Sequence, residues 1–347
     1  MADVPSTQQR APTQHASAAA LGRDLVVIGA SAGGLQALSQ LIGALPADYR
    51  GSVFVVMHTS AGVRSELPSL IGRHTGLPTL HAEDGRDIEP GHVYVAPPDR
   101  HLLIVPGRMQ VVQGPHENRH RPAIDPLFRS AAWAYGPRVV GVVLTGNLDD
   151  GTAGLWAIKS CGGTTIVQEP DEASHPQMPW NALLHNRVDH RLRLDEIAAL
   201  LTRMACEKIA SVHPPEPPPG LPDEIEFAKL KADIRDIDHL AGHLSAFTCP
   251  ACRGALWELE EGGHLRYRCH TGHAYSQASL LLDQDRAVEE SLYTALRAVE
   301  EKATALRRLA ARWPDGLASI RLDYEARARA LDASADTLRA MLAGATP

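Results

Sequence analysis

The stretch DLVVIGASAGGLQAL, residues 24–38, constrains this chain more than any other. Leu25 to Ile28 is an unbroken apolar run, which predicts a strand buried on both faces of a sheet. It leads into Gly29-Ala30-Ser31-Ala32-Gly33-Gly34, after which Leu35, Leu38 and Leu41-Ile42 fall at helical spacing. A G-x-S-x-G run between a strand and a helix is the layout of a nucleophile elbow. Glycine on both sides of Ser31 permits a sharp turn that a Cβ would hinder. The helix N-terminus offers free N–H groups to a developing negative charge. Two alternatives compete with a catalytic serine. A glycine-rich loop before a helix also cradles phosphate. However, Ser31 takes the middle-glycine place of G-x-G-x-x-G and no Gly-Lys-Ser/Thr follows, so neither nucleotide loop fits. A tight turn with an incidental serine is the plainer alternative.

The strand–helix alternation continues along the chain. SVFVVMH at 52–58, HVYVAP at 92–97, RVVGVVLTG at 138–146 and GTTIVQE at 163–169 read as further strands. Helices fit over Gly34–Leu45, Leu127–Tyr135 and Gly151–Cys161, and HLLIVPGRMQVVQG at 101–114 reads as a hairpin turning at Pro106-Gly107. This predicts an α/β fold with a doubly wound, mainly parallel sheet over residues 23–206. Parallel strands end on one edge, where open α/β folds place their sites. Ser31, His58 at the end of its strand, and Asp150 just beyond RVVGVVLTG therefore converge as nucleophile, base and orienting carboxylate. Each has a bland alternative. His58 is one of 17 histidines, and Asp149 or Asp150 suits the cap of a helix starting near Thr152.

The formal net charge of −7 argues against a general nucleic-acid binder. No apolar run is long enough to span a bilayer, so no membrane insertion is expected. Residues 1–22, rich in Ser, Gln, Ala and Pro, lack the apolar core of a signal peptide. They read as a disordered arm, and the protein as cytoplasmic. Residues 207–245 combine the proline-rich linker HPPEPPPGLP with a charged helix over about Glu224 to His243. Within 246–276, Cys249-Pro-Ala-Cys252 and Cys269-His270-Thr-Gly-His273 flank a hairpin turning at Glu261-Gly262-Gly263. Paired soft ligands at this spacing predict a zinc-ribbon-like module with Cys249, Cys252, Cys269 and His273 as ligands. His270 is adjacent to Cys269 and His264 lies at the hairpin tip, so both are poorer fourth ligands. Four protein ligands close a site, so the zinc is structural, and no cofactor is expected for catalysis. Three unligated cysteines in a small apolar cluster are the alternative. Over 277–345, Leu292, Leu296, Val299, Ala303, Leu306, Ala310 and Trp313 trace one seam. Leu317, Ile320, Tyr324, Ala328, Leu331, Ala335, Leu338 and Leu342 trace a second beyond Pro314-Asp315-Gly316. This is a helical hairpin closing on itself, or a surface for a response regulator or another signalling protein.

Several runs carry a family resemblance: VVIGASAGG, the strand ending in His58, VAPPDRHLL, HRPAIDPLF, GVVLTG with DDGTAGL, and VQEPDEASHPQMPWNAL. In this order they resemble the catalytic domain of the CheB-type chemotaxis protein-glutamate methylesterases. The resemblance implies a serine hydrolase with Ser31, His58 and Asp150 as its triad. It implies glutamate γ-methyl esters on methyl-accepting receptor cytoplasmic domains as substrate, with glutamine deamidation in many members. The oxyanion donors would be the N–H of Ala32 and that of Asn147, which stands at the methionine of the family's TGMG run. TGNLDDG here replaces the family's TGMGxDG, which bears on pocket shape more than on reaction class. The family's usual N-terminal receiver domain is not expected within the short first segment. A CPxC…RC…GHxY tail of this kind is appended to some methylesterase-like proteins. The competing functions are a non-catalytic adaptor with a degenerate esterase domain, and an esterase or amidase for another substrate.

Overall fold

The computed structural model describes residues 22–59, 65–209, 215–230, 242–312 and 318–344. The N-terminal arm, the start of the proline-rich linker and the Pro314-Asp315-Gly316 break lie outside them. The chain forms two units, divided after Ser279.

The first unit is built on the apolar runs. β1 (Leu25–Ala30), β2 (Ser52–Met57), β3 (Thr79–His81), β4 (Val93–Val95), β7 (Val139–Val143), β8 (Thr164–Gln168) and β9 (His190–Leu192) form one sheet. Its order is β3-β4-β2-β1-β7-β8-β9, and every pair is parallel. The short edge strands β3 and β9 lack a run long enough to stand out in the sequence. β1 is buried throughout because its side chains alternate between two cores. Val26, Ile28 and Ala30 meet α1 (Gly34–Gly43), α2 (Leu67–Gly72) and α6 (Leu194–Cys206). Leu25 and Val27 face α3 (Ile124–Tyr135), α4 (Thr152–Ser160) and α5 (Gln177–His185). The hairpin β5 (His101–Val105) and β6 (Arg108–Val112) turns at Pro106-Gly107 and packs on that second side. The chain winds outward one way from β1 through β2 and the other way from β7 through β8. The switch point thus lies between the carboxyl ends of β1 and β7.

Of the charged helical stretch expected beyond the linker, residues 231–241 lie outside the described residues. α7 occupies Leu221–Ala228, and His243 belongs instead to a strand, β10 (Gly242–Thr248). Charge content fits either element, so it does not place the boundary. β10, β11 (Ala255–Glu261), β12 (His264–Cys269) and β13 (Ala274–Ser276) form a four-stranded antiparallel sheet carrying the Cys/His pairs. Gly262 and Gly263 make the β11–β12 turn at positive φ.

The second unit pairs α8 (Gln277–Ala310) with α9 (Ala318–Gly344) as a hairpin. Ala303, Leu306 and Ala310 are buried along one expected seam and Ala328 and Ala335 along the other, whereas Ile320 is exposed; Trp313 and Leu317 lie outside the described residues. Ion pairs Arg307–Asp332 and Arg339–Glu300 bridge the two helices. No helix among the described residues is long and apolar enough to cross a membrane.

Candidate active site

Ser31 directly follows β1, at the switch point. Its N–H donates to the Thr145 carbonyl beyond β7 at 3.0 Å, and its carbonyl accepts from Gly34 N–H at 2.8 Å. Of the glycines beside it, Gly33 adopts φ +75 and leads into α1, while Gly29 sits where any Cβ would lie 2.4 Å from Ile124. Gly146 is needed for a different reason: a Cβ there would lie 2.8 Å from the Ser31 Cβ and 2.2 Å from the Met178 sulfur.

His58 directly follows β2, and its N–H is bound to the Ala30 carbonyl. Its Nδ1 lies 3.0 Å from Ser31 Oγ, and its Nε2 lies 2.7 Å from Asp150 Oδ2. For Nδ1 to accept the serine proton, Nε2 must carry the ring proton and donate it to Asp150. Both His58 and Asp150 side chains are nearly closed to solvent.

Asp150 is held at the N-terminus of α3. Oδ2 accepts from Ile124 N–H at 2.7 Å, and Oδ1 from Asn118 Nδ2 at 2.9 Å and Gly151 N–H at 3.0 Å. Burial alone would raise this carboxyl. The hydrogen bonds from His58, Ile124 and Asn118, with the helix N-terminus, outweigh it and hold the group well below the ordinary carboxylate range. Neither aspartate caps α4: its N-cap is Gly151, and Asp149 instead accepts from Ser276 Oγ at 2.7 Å.

Three neighbours escaped the sequence reading. His120 stacks on His58 with ring centroids 3.6 Å apart and planes within 9°, and burial followed by the proximity of His58 lowers its pKa to about 4. Asp125, in the first turn of α3, accepts from Gly154 N–H and from Asn118 Nδ2. Burial and then the charge of Asp150 push its pKa up to about 7. Asn118 is the third. His120 and Asp125 lie inside the HRPAIDPLF run and Asn118 lies two residues before it, so the sequence marked the region without assigning these roles.

The N–H groups of Ala32 and Asn147 make no hydrogen bond to another described residue. The loop carrying Asn147 is tied down on both sides. Gly146 N–H donates to the His175 carbonyl, Leu148 N–H to Gln177 Oε1, and Asn181 Nδ2 to the Leu148 carbonyl. Leu148 takes φ +63, a left-handed conformation that suits glycine. Beside Ser31 an open groove of about 740 Å³ runs along α1, lined by Gly34, Leu35, Gln36, Met57 and His74 among others.

A family model described as CheB methylesterase matches residues 26–201. The chain belongs to the CheB methylesterase family. A putative protein-glutamate methylesterase/protein-glutamine glutaminase of Leptospira interrogans is 36% identical over 182 residues, which is 52% of this chain and 94% of the relative. A protein-glutamate methylesterase/protein-glutamine glutaminase of Anaeromyxobacter dehalogenans is 37% identical over 203 residues, 56% of this chain and 57% of the relative. The crystal structure of the Thermotoga maritima CheB methylesterase catalytic domain superposes with a TM-score of 0.50 at 32% identity. It covers 52% of this chain and 97% of that one. The CheB methylesterase match ends before the linker, so the Cys/His sheet and the helical hairpin are additions to it.

In the Cys/His sheet, Cys249, Cys252, Cys269 and His273 bring four ligand atoms within 4.8 Å of one another. Cys252 and Cys269 sulfurs lie 3.6 Å apart, Cys269 Sγ and His273 Nδ1 3.5 Å, and Cys249 Sγ and His273 Nδ1 3.8 Å. Zinc bonds of about 2.3 Å to sulfur and 2.0 Å to nitrogen at tetrahedral angles place donors roughly 3.5–3.8 Å apart. His270 lies against Trp257, and His264 bonds to the His185 carbonyl.

Proposed function

We propose that this chain hydrolyses glutamate γ-methyl esters on the cytoplasmic domains of methyl-accepting receptors, and deamidates glutamine there by the same chemistry. The observation that carries this is the continuous contact from Ser31 through His58 to Asp150 at the switch point of the sheet. His58 Nδ1 takes the Ser31 proton as Oγ attacks the ester carbonyl. The oxyanion is met by the Ala32 and Asn147 N–H groups, which are free of other partners among the described residues. Protonated His58, stabilised by Asp150, then gives its proton to departing methanol. A water deprotonated by His58 attacks the acyl-Ser31 ester, releasing glutamate and restoring the serine. The groove along α1 leads to Ser31 and suits an extended or helical segment of receptor. An intact triad geometry weighs against a degenerate adaptor.

The Cys/His sheet is read as a structural zinc site, since its four donors lie within 4.8 Å of one another, three pairs at 3.5–3.8 Å, and no fifth protein group is required. Zinc plays no part in the ester chemistry. Metal analysis of protein purified without chelator is expected to give one zinc per chain, and its absence would overturn the assignment.

The functional test is methanol release from membranes bearing methylated receptors. The full chain is expected to release methanol and Ser31→Ala to release none above background. Hydrolysis of simple esters without receptor turnover would instead favour another substrate.

A further inference from the structure

The Cys/His sheet is packed against the triad as well as appended after it. β13 lies beside the segment His116–Asn118: Ala274 N–H donates to the His116 carbonyl at 3.2 Å, and Asn118 N–H to the Ala274 carbonyl at 2.8 Å. At the end of β13, Ser276 N–H donates to Asn118 Oδ1 at 3.0 Å, and Ser276 Oγ to Asp149 at 2.7 Å. The sheet thus touches the triad carboxylate's neighbours on two sides, Asn118 across from it and Asp149 next to it in the chain.

Asn118 is buried and its amide is fully used. Nδ2 donates to Asp150 Oδ1 at 2.9 Å and to Asp125 Oδ2 at 2.8 Å, while Oδ1 accepts from Ser276. The reverse amide orientation would set its oxygen between two carboxyl groups and its NH₂ against the Ser276 N–H. The network therefore permits one orientation. Asn118 also adopts φ +48, which asparagine tolerates better than other residues with a Cβ.

We infer that Asn118 is a positioning residue for Asp150 and that the Cys/His sheet is its anchor, so that a segment outside the matched hydrolase domain completes the active site. This rests on the triad assignment above. Asp150 Oδ2 must face His58 Nε2, and rotation about its side chain is restrained at Oδ1 by Asn118. Asn118 is in turn held at its backbone and side chain by Ala274 and Ser276. Loss of this hold loosens the carboxylate that orients the base, and so affects turnover more than substrate binding.

The test compares full-length wild type with Asn118→Gly, Asn118→Asp and Ser276→Pro. Glycine accepts the positive φ and keeps the backbone bond to Ala274 while removing the amide. Aspartate keeps the acceptor for Ser276, removes the donor to Asp150, and sets an oxygen against Asp150 and Asp125. Proline at 276 removes both the N–H donated to Asn118 and the hydroxyl donated to Asp149, the two contacts of the sheet's end, while leaving Asn118 and all four cysteine and histidine ligands in place. The readouts are kcat and KM for methyl-ester hydrolysis, the rate of fluorophosphonate labelling at Ser31, and the unfolding midpoint. Asn118→Gly and Asn118→Asp are expected to lower kcat and labelling about 10–100-fold, with KM within about threefold. Ser276→Pro is expected to lower kcat in the same direction. A purely structural peg would lower the unfolding midpoint and leave the kcat of the folded protein unchanged, so wild-type kcat in Asn118→Gly or Asn118→Asp overturns the positioning role. Wild-type kcat in Ser276→Pro overturns the anchor. Inactive wild type would instead break the triad assignment, since wild type must label and turn over before the variants are compared.

Discussion

Leu148 holds a left-handed φ of +63 in the loop that carries Asn147 beside Ser31. An L side chain in that region costs about 1–2 kcal/mol, of which glycine's extra freedom in the unfolded chain returns part. Leu148→Gly is accordingly expected to stabilise the protein by about 0.5–1 kcal/mol in chemical denaturation, and a clear destabilisation would contradict the strain. The departure from TGMGxDG was visible in the sequence, but that the backbone keeps the left-handed turn glycine favours was not, because pattern carries no dihedral angle. Asp125 illustrates the same limit. It sits in the first turn of α3, a position that ordinarily favours the ionised carboxylate. Only the structure places it beside Asp150, where burial and then that charge raise its pKa to about 7. With a folded value above the ordinary 3.8, its contribution to stability is fully present below about pH 4 and is lost as pH rises through about 7. Infrared titration is expected to retain a protonated carboxyl band at pH 6; a spectrum with every carboxyl ionised there would refute it.

At the scale of elements, strand ends were legible because a buried parallel strand has an unbroken apolar run and its last residue is thereby located. Ser31 and His58 are located by that signal, and Asp150 by lying a few residues beyond RVVGVVLTG. The packing of the Cys/His sheet was not legible, because it depends on charges far apart in sequence. Glu117, Arg129 of α3, Glu224 of α7, and Arg266 and Arg268 of β12 form one buried ion network. Arg268 donates from Nε to Glu224 at 2.8 Å and from Nη2 to Glu224 at 2.6 Å and Glu117 at 3.2 Å. Burial would lower the Arg268 pKa, but the two glutamates hold it above the ordinary arginine value. Removing Arg268 strips the buried Glu224 and Glu117 of hydrogen-bonded partners, at a cost of about 3–5 kcal/mol. Arg268→Ala is expected to lower stability by about that amount, measured by urea unfolding. A change below about 1 kcal/mol, the range of exposed pairs, would mean the network is screened by water.

At the scale of the molecule, the family match covers residues 26–201, while the segments after it supply contacts to the hydrolase unit through β13 and α7. On the proposed mechanism Ser31 is the nucleophile of this enzyme. The most direct test is mass spectrometry of the full-length protein after reaction with a fluorophosphonate, with peptide mapping of the adduct. One adduct per chain is predicted on the peptide containing Ser31, and none in His58→Ala over the same interval. An unlabelled wild type, or an adduct mapped to any other serine, would contradict the account.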